Sequence, residues 1–300
     1  MADAVILGEC MVELSLTEPR QAAIGYAGDT FNTAVYLARL GVPTAYATAL
    51  GRGDPFSAGI LALMDDEGVE RGLVVEAEGR VPGLYAIQCD ERGERSFFYW
   101  RDNAPARDYM ALADLDLLSA AMAGAKLAYV SAISLAILGQ AGRAALLPRL
   151  EAAAKAGAGV VLDTNYRPRL WPGPEAARAA VETLAPLCRY VSVSAADVEA
   201  FGLDAESCAA RWAEAGAEVL LRREDRSIAV LSGGQGFAFE ASPPIAVVDT
   251  TGAGDSFNAG YLAGRLRGDS IADSIGAARR LAEAVVRHRG AIIPKSAMPG

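Results

Sequence analysis

Short, nearly unbroken apolar runs alternate along this chain with longer segments whose apolar residues recur every three or four positions. The runs at 5–7, 45–49, 127–130, 159–162, 190–193 and 219–221 are too short for helices and predict buried strands, the first of them ending at Gly8. Segments 31–40, 56–67, 115–123, 140–156, 174–184 and 205–215 carry the helical period, and 253–266 and 271–287 predict the last two helices. The helix at 31–40 closes on Gly41, which readily takes the left-handed conformation that ends helices. Strand and helix in alternation predict an α/β fold, with a mainly parallel central sheet covered by helices on both faces.

Two stretches break this rhythm. Segments 83–89 and 95–100 are strand-like, and the polar Asp90-Glu91-Arg92-Gly93-Glu94 between them reads as a hairpin loop. With 12–16 they predict a small second sheet, its strands falling within 9–26 and 80–104. Such a flap suits a lid that excludes water from a reaction in which water competes as nucleophile; an ordinary edge hairpin is the plainer reading. No internal repeat or linker interrupts the chain, so 1–300 is expected to form one domain.

Composition narrows the function. At 300 residues and 52% apolar, the chain can bury a large core. No run approaches the ~18 apolar residues of a membrane span. Met1-Ala2-Asp3-Ala4 lacks the basic and apolar regions of a secretory signal, so a soluble cytoplasmic protein without a membrane partner is expected. A formal charge of -9 argues against a nucleic-acid partner, because phosphate backbones demand a basic surface. Cys10, Cys89, Cys188 and Cys208 are scattered, without zinc or redox spacing, and read as reduced thiols. The single histidine, His288, lies in the basic end of the last predicted helix, which argues against a Ser/His/Asp triad or a two-histidine zinc site. Carboxylates, backbone amides and arginines are left to carry the chemistry.

The run Asp249-Thr250-Thr251-Gly252-Ala253-Gly254-Asp255 brings the first two together at a predicted helix start. Gly252 and Gly254 permit backbone angles that let consecutive N–H groups converge on one oxygen cluster. The helix N-terminus adds unsatisfied donors and a dipole that favours negative charge. Asp255 sits where an alcohol approaching a bound phosphate would hand over its proton. The pattern points to phosphoryl transfer to a hydroxyl.

A second segment, Gly28-Asp29-Thr30-Phe31-Asn32-Thr33-Ala34, continues through Leu37 to Leu40-Gly41. In this order the two segments resemble motifs of the PfkB, or ribokinase-like, carbohydrate kinases, and the resemblance runs over nearly the whole chain. It implies a three-layer α/β/α domain with a β lid and an ATP-dependent, magnesium-requiring phosphorylation of an alcohol. By this resemblance Asp255 is the base, the amides of Gly252, Ala253 and Gly254 hold the transferring phosphoryl group, and Gly28, Asp29 and Asn32 touch the sugar. An aspartate at a helix N-terminus is expected to be a weak base, since the dipole favours its ionised form. A weak base suffices when the proton leaves late. Some family members need a monovalent cation near the loop corresponding to Asp249. Relatives commonly pair through the lid, so a homo-oligomer is expected.

Gly83-Leu84-Tyr85, the stretch Gly93-Glu94-Arg95-Ser96-Phe97-Phe98-Tyr99-Trp100-Arg101 and Asp163-Thr164-Asn165-Tyr166-Arg167-Pro168 look like the 2-keto-3-deoxygluconate kinase branch, whose substrate carries a carboxylate. An arginine grips a carboxylate with two parallel hydrogen bonds, which assigns Arg101 or Arg167 to the sugar acid. Tyr85 and Tyr99 would supply hydroxyls and apolar walls. The alternatives are solvation of both arginines, nucleotide contact by Arg167, a fructokinase or other neutral-sugar kinase, and a non-catalytic sugar- or nucleotide-binding regulator. Asn165, Ser194, Asp197, Arg222 and Glu224 are expected on the nucleotide side. Departures gather there: Ser194 and Asp197 replace the family's common Asn and Glu, and Glu224 and Ser227 replace loop glycines, where side chains would hinder close approach of the backbone. No metal-ligand cluster is visible, so the metal ligands are unassigned.

Overall fold

The apolar runs become neighbouring strands. The computed structural model describes residues 2–18, 21–89 and 95–300. Its strands are β1 (Ala4–Leu7), β2 (Met11–Glu18), β3 (Gln21–Ala27), β4 (Thr44–Gly51), β5 (Val69–Glu70), β6 (Val74–Ala77), β7 (Leu84–Cys89), β8 (Arg95–Trp100), β9 (Leu127–Ser131), β10 (Gly159–Asp163), β11 (Tyr190–Ser194), β12 (Glu218–Arg222), β13 (Ile228–Ser232) and β14 (Gln235–Phe239). The helices are α1 (Asp29–Arg39), α2 (Pro55–Glu67), α3 (Tyr109–Leu112), α4 (Leu115–Gly124), α5 (Ala132–Ile137), α6 (Gly139–Ala156), α7 (Pro174–Leu184), α8 (Ala195–Ala200), α9 (Ala205–Glu214), α10 (Ala253–Arg267) and α11 (Ile271–Val285).

The main sheet runs β14-β13-β12-β11-β10-β9-β1-β4-β5, with β6 also paired to β4. It is parallel from β4 and its neighbours through β12, and β13 and β14 extend it as antiparallel strands. Successive side chains of a strand point to opposite faces. Accordingly Val5 and Leu7 join Val160, Leu162, Val191 and Val219 in a core beneath α4, α6, α7 and α9. Ala4 and Ile6 join Tyr129, Val161 and Tyr190 against α1, α10 and α11 on the other side. Burial on both faces is why these strands read as continuous apolar runs rather than as alternating ones.

The smaller sheet has the order β3-β2-β7-β8. Its middle pair, β2 and β7, is parallel, and both outer pairs are antiparallel. One face carries Met11, Tyr85 and Ile87, packed with Ala27 and Ala291. The other leaves Ile24 58%, Phe98 47% and Trp100 63% exposed. The hairpin loop expected at 90–94 lies outside the described residues.

Helix starts follow local chemistry. α2 begins with Pro55 at its first position, and the Asp54 carboxylate accepts from the amides of Phe56 and Ser57. α1 starts at Asp29, earlier than its apolar pattern, because extended Gly28 packs onto the backbone of Glu9: a Cβ there would lie 2.0 Å from the Glu9 carbonyl oxygen. Cys10, Cys188 and Cys208 are buried free thiols. Among the described residues no helix is long and apolar enough to cross a membrane.

Candidate active site

In open α/β sheets, ligands bind beyond the carboxyl ends of the strands. Here those ends deliver a concentration of polar side chains: Glu9 just after β1, Ser131 closing β9, Asp163 closing β10, Ser194 closing β11 and Arg222 closing β12. Across from them, α1 and α10 point their N-termini into the same space and bring Asp29, Asn32 and Asp255. The two motifs, distant in sequence, meet in one hydrogen bond: Asn32 Nδ2 donates to Asp255 Oδ2 at 2.8 Å. Thr33 Oγ1 adds a bond to the Asp255 carbonyl oxygen at 3.3 Å.

The turn before α10 is built as the glycines require. Gly252 takes φ 76°, and the Asp249 carboxylate gathers the loop by accepting from Thr251 N, Thr251 Oγ1 and Gly290 N. Ala253 N–H is engaged by the Thr250 carbonyl oxygen at 3.2 Å. The Ala253 amide expected to hold an anion therefore has a partner within the turn. The N–H groups of the helix's first turn that follow, those of Gly254 and Asp255, are the ones its geometry leaves for an anion.

Asp255 is buried, and its carboxyl is pushed well above the usual range, first by burial, then by the charge of Asp29 and, more weakly, of Asp163. Asn32 and Arg167 oppose the shift without overcoming it. The expected lowering by the helix dipole is not what the carboxyl shows, because desolvation and like charge outweigh the dipole. Asp29 itself accepts from Ser131 Oγ and, at 3.3 Å, from Asn165 Nδ2. Asn165, expected on the nucleotide side, is therefore tied to Asp29, which was expected on the sugar side.

At the start of α8, burial and the neighbouring Asp163 carboxylate push Asp197 up to about 6. Ser194 ends β11, where its N–H donates to Thr164 Oγ1 at 3.0 Å. Arg222 Nη2 reaches Asp163 Oδ1 at 3.3 Å. Glu224 is exposed in the turn between β12 and β13. The only left-handed residue in that turn is Arg226, at φ 67°, so positions 224 and 227 accommodate side chains without backbone strain.

The lid brings a different arrangement from the one expected. Arg101 is buried and its Nη2 is ion-paired with the buried Glu9 carboxylate, while its Nε has no partner. Tyr85 donates its hydroxyl to Glu13 and lies beside Tyr99, the rings tilted by 32° with centroids 5.8 Å apart. Tyr99 is 44% exposed. Arg167 is exposed, donates to the Tyr166 carbonyl oxygen, and acts electrostatically on Asp163, Asp197 and Asp255. Glu9, Glu13, Ser131, Asp163 and Asn258 were not singled out as site residues by sequence. The one available signal was position, since Glu9 and Asp163 stand at the ends of predicted parallel strands.

A model of the pfkB family of carbohydrate kinases matches residues 1–298. The chain belongs to that family. A 2-dehydro-3-deoxygluconokinase of Dickeya dadantii (strain 3937) is 40% identical to this kinase-family chain over 98% of it and 97% of the relative. The protein of that name from Escherichia coli (strain K12) is 38% identical, covering 98% of each. Among solved structures, 2-dehydro-3-deoxygluconokinase from Thermotoga maritima superposes with a TM-score of 0.81 over 98% of this chain and 96% of its own, at 21% identity. That likeness shows the fold. The family and the α/β architecture with a second small sheet therefore agree with the reading from sequence.

Proposed function

We propose that the chain transfers the γ-phosphoryl group of ATP to 2-keto-3-deoxygluconate, also called 2-dehydro-3-deoxygluconate, giving the 6-phosphate. The observation that carries this reading is the placement of Asp255, fixed by Asn32, beside the Gly252 turn at the head of α10. The sugar hydroxyl lies against Asp255 and gives up its proton as its oxygen bonds to phosphorus and the bond to ADP breaks. Phosphoryl transfer has a loose transition state, so the work of Gly252, Gly254 and the first-turn amides is positioning and charge stabilisation. Asp29 and Asn165 orient the sugar hydroxyls. Gly28 leaves room for the chain to approach them.

The carboxylate of the substrate is assigned to Arg101 and Arg167, with Tyr85 and Tyr99 as its wall. Arg101 keeps an unpartnered Nε while Glu9 holds its other edge, and Arg167 forms no ion pair among the described residues. A neutral hexose has no use for two such cations. Relatives named for the sugar acid support the same choice. Turnover on the sugar acid against fructose tests it.

The residues fit a magnesium ion. Besides burial, the charge of Asp163 helps raise the pKa values of Asp197 and Asp255, and a cation beside the phosphates would relieve that negative charge. Among the described residues no group of three or more His, Cys, Asp or Glu is placed to hold a metal. Magnesium bound there would neutralise charge on the phosphates. A monovalent cation beside the Asp249 loop is kept only as a family expectation. The reading includes a cytoplasmic setting, where ATP is at hand, and a homo-oligomer formed through the exposed apolar face of the lid, with Ile24, Phe98 and Trp100 at its centre.

A further inference from the structure

Arg222 is placed in a way that nucleotide binding in general does not explain. It closes β12 beside Ser194 of β11, and its side chain turns toward the head of α10 rather than to solvent. A Cβ built on Gly254 would lie 2.9 Å from Arg222 Nη1, so the guanidinium abuts the turn whose amides face the anion. Its carbon stands 5.9 Å from the Phe257 ring centroid, which fixes its plane from one side. Nε is buried without a hydrogen-bond partner.

Its ion pair among the described residues is loosely held. Arg222 Nη2 lies 3.3 Å from Asp163 Oδ1, longer than the ~2.7–2.9 Å of a tight charge-assisted bond. Asp163 does not depend on that contact alone, because its other oxygen accepts from Asn258 Nδ2 at 2.9 Å and from Tyr129 at 3.4 Å. A guanidinium with an unpartnered buried N–H and a long ion pair, pressed against an anion-binding turn, has donors to spare for a phosphate oxygen. Carboxyl groups gather around it, and Arg222 and Arg167 are the cations that act on Asp197 there.

We propose that Arg222 is a cationic clamp for the transferring phosphoryl group, held ready by Asp163 and shared with the phosphate once nucleotide binds. It rests on the kinase reading above and adds to it a charge that acts on the γ-phosphoryl rather than on the nucleotide as a whole. The atom balance is unchanged: the P–O bond to ADP breaks, the bond to the sugar oxygen forms, and the proton goes to Asp255. Asp163 is a positioning residue for Arg222.

The test is the full chain with Arg222→Met, alone and in an Asp163→Asn background. Binding of ADP and of the non-hydrolysable β,γ-imido analogue of ATP, each with magnesium, is measured by calorimetry, and turnover by ADP release. The expected result for Arg222→Met is a loss of kcat of about 10²–10³-fold, as for removal of one oxyanion donor. The imido analogue should weaken at least about tenfold while ADP binding and the KM for sugar change less than about twofold. The kcat loss should persist in the Asp163→Asn background. Equal weakening of both nucleotides, or a kcat loss that vanishes once Asp163 is neutral, would overturn the proposal and leave Arg222 as a counter-ion. An unfolded Arg222→Met is answered by Arg222→Lys, which keeps the charge but not the fork and should lose kcat with ADP affinity retained; full kcat there and in the Asp163→Asn pair overturns the clamp. Wild-type chain that binds neither nucleotide would instead sink the kinase reading itself.

Discussion

Replacing Gly252 by alanine separates the backbone geometry of the anion turn from every side-chain effect. Gly252 sits at φ 76°, where a Cβ costs about 1–2 kcal/mol. The added carbon would also lie 2.7 Å from the Ala291 carbonyl oxygen and 3.0 Å from Ala291 Cα. Those are backbone atoms of a segment held by Tyr36, whose hydroxyl bonds the Ala291 carbonyl oxygen at 2.6 Å and accepts from Ile293 N at 3.1 Å. The segment cannot yield, so the turn must move and carry the Gly254 and Asp255 amides with it. A displacement approaching 1 Å is worth about 10²-fold in rate. Gly254→Ala is the matched control: position 254 is helical, where alanine is favoured over glycine by up to about 1 kcal/mol, and its Cβ meets only the Arg222 guanidinium. Gly252→Ala should therefore lower both the melting temperature, by several degrees, and kcat, by about 10²-fold, whereas Gly254→Ala should lower kcat without lowering the melting temperature. Calorimetric melting and steady-state ADP release measure both. Wild-type turnover and melting in Gly252→Ala would refute the account of the turn.

Three further outcomes follow from the same geometry. Asp255→Asn should reduce kcat by orders of magnitude while sugar and nucleotide binding persist; near-normal turnover removes Asp255 from the mechanism. Because the folded state holds the Asp255 proton more tightly than the unfolded chain, ionised Asp255 lowers stability as pH rises from the ordinary carboxylate range through the folded pKa, so Asp255→Asn should melt no lower than wild type at neutral pH. The acid limb of the kcat profile should lie above the ordinary carboxylate range, and Asp29→Asn, which removes the neighbouring charge, should move it to lower pH; an unmoved limb would show that Asp29 does not set it. Finally, Trp100→Lys on the outer face of the lid should shift sedimentation toward the monomer, and wild type that already sediments as a monomer would end the proposal of pairing through the lid.

The parallel core could be read from sequence because a strand buried on both faces leaves an uninterrupted apolar run, as at 160–162 and 219–221. Strand β3 left no such mark. Gln21-Ala22-Ala23-Ile24-Gly25-Tyr26-Ala27 is made largely of small residues, and its register is imposed by pairing with β2. β13 and β14 were likewise illegible, being partly exposed and joined to the sheet through antiparallel contacts that depend on β12. In the site, Asp255, Asp29, Asn32 and the glycine turn were legible because their chemistry needs local spacing. The Arg101–Glu9 and Arg222–Asp163 pairs were not, since each joins residues that only the fold brings together. The direction of the Asp255 shift was missed for the same reason: burial and Asp29 are properties of the site, whereas the helix dipole can be inferred from the segment alone.

The central claim is a kinase whose acceptor is a sugar acid. Side-by-side initial rates of ADP release with 2-keto-3-deoxygluconate and with fructose, at fixed ATP and magnesium, test it most directly, with Arg101→Ala and Arg167→Ala measured alongside. Turnover should favour the sugar acid by orders of magnitude in kcat/KM, and at least one arginine variant should raise its KM by about tenfold or more, the loss of a charge-assisted hydrogen bond. Preference for fructose, or an unchanged KM for the acid in both variants, would contradict the account.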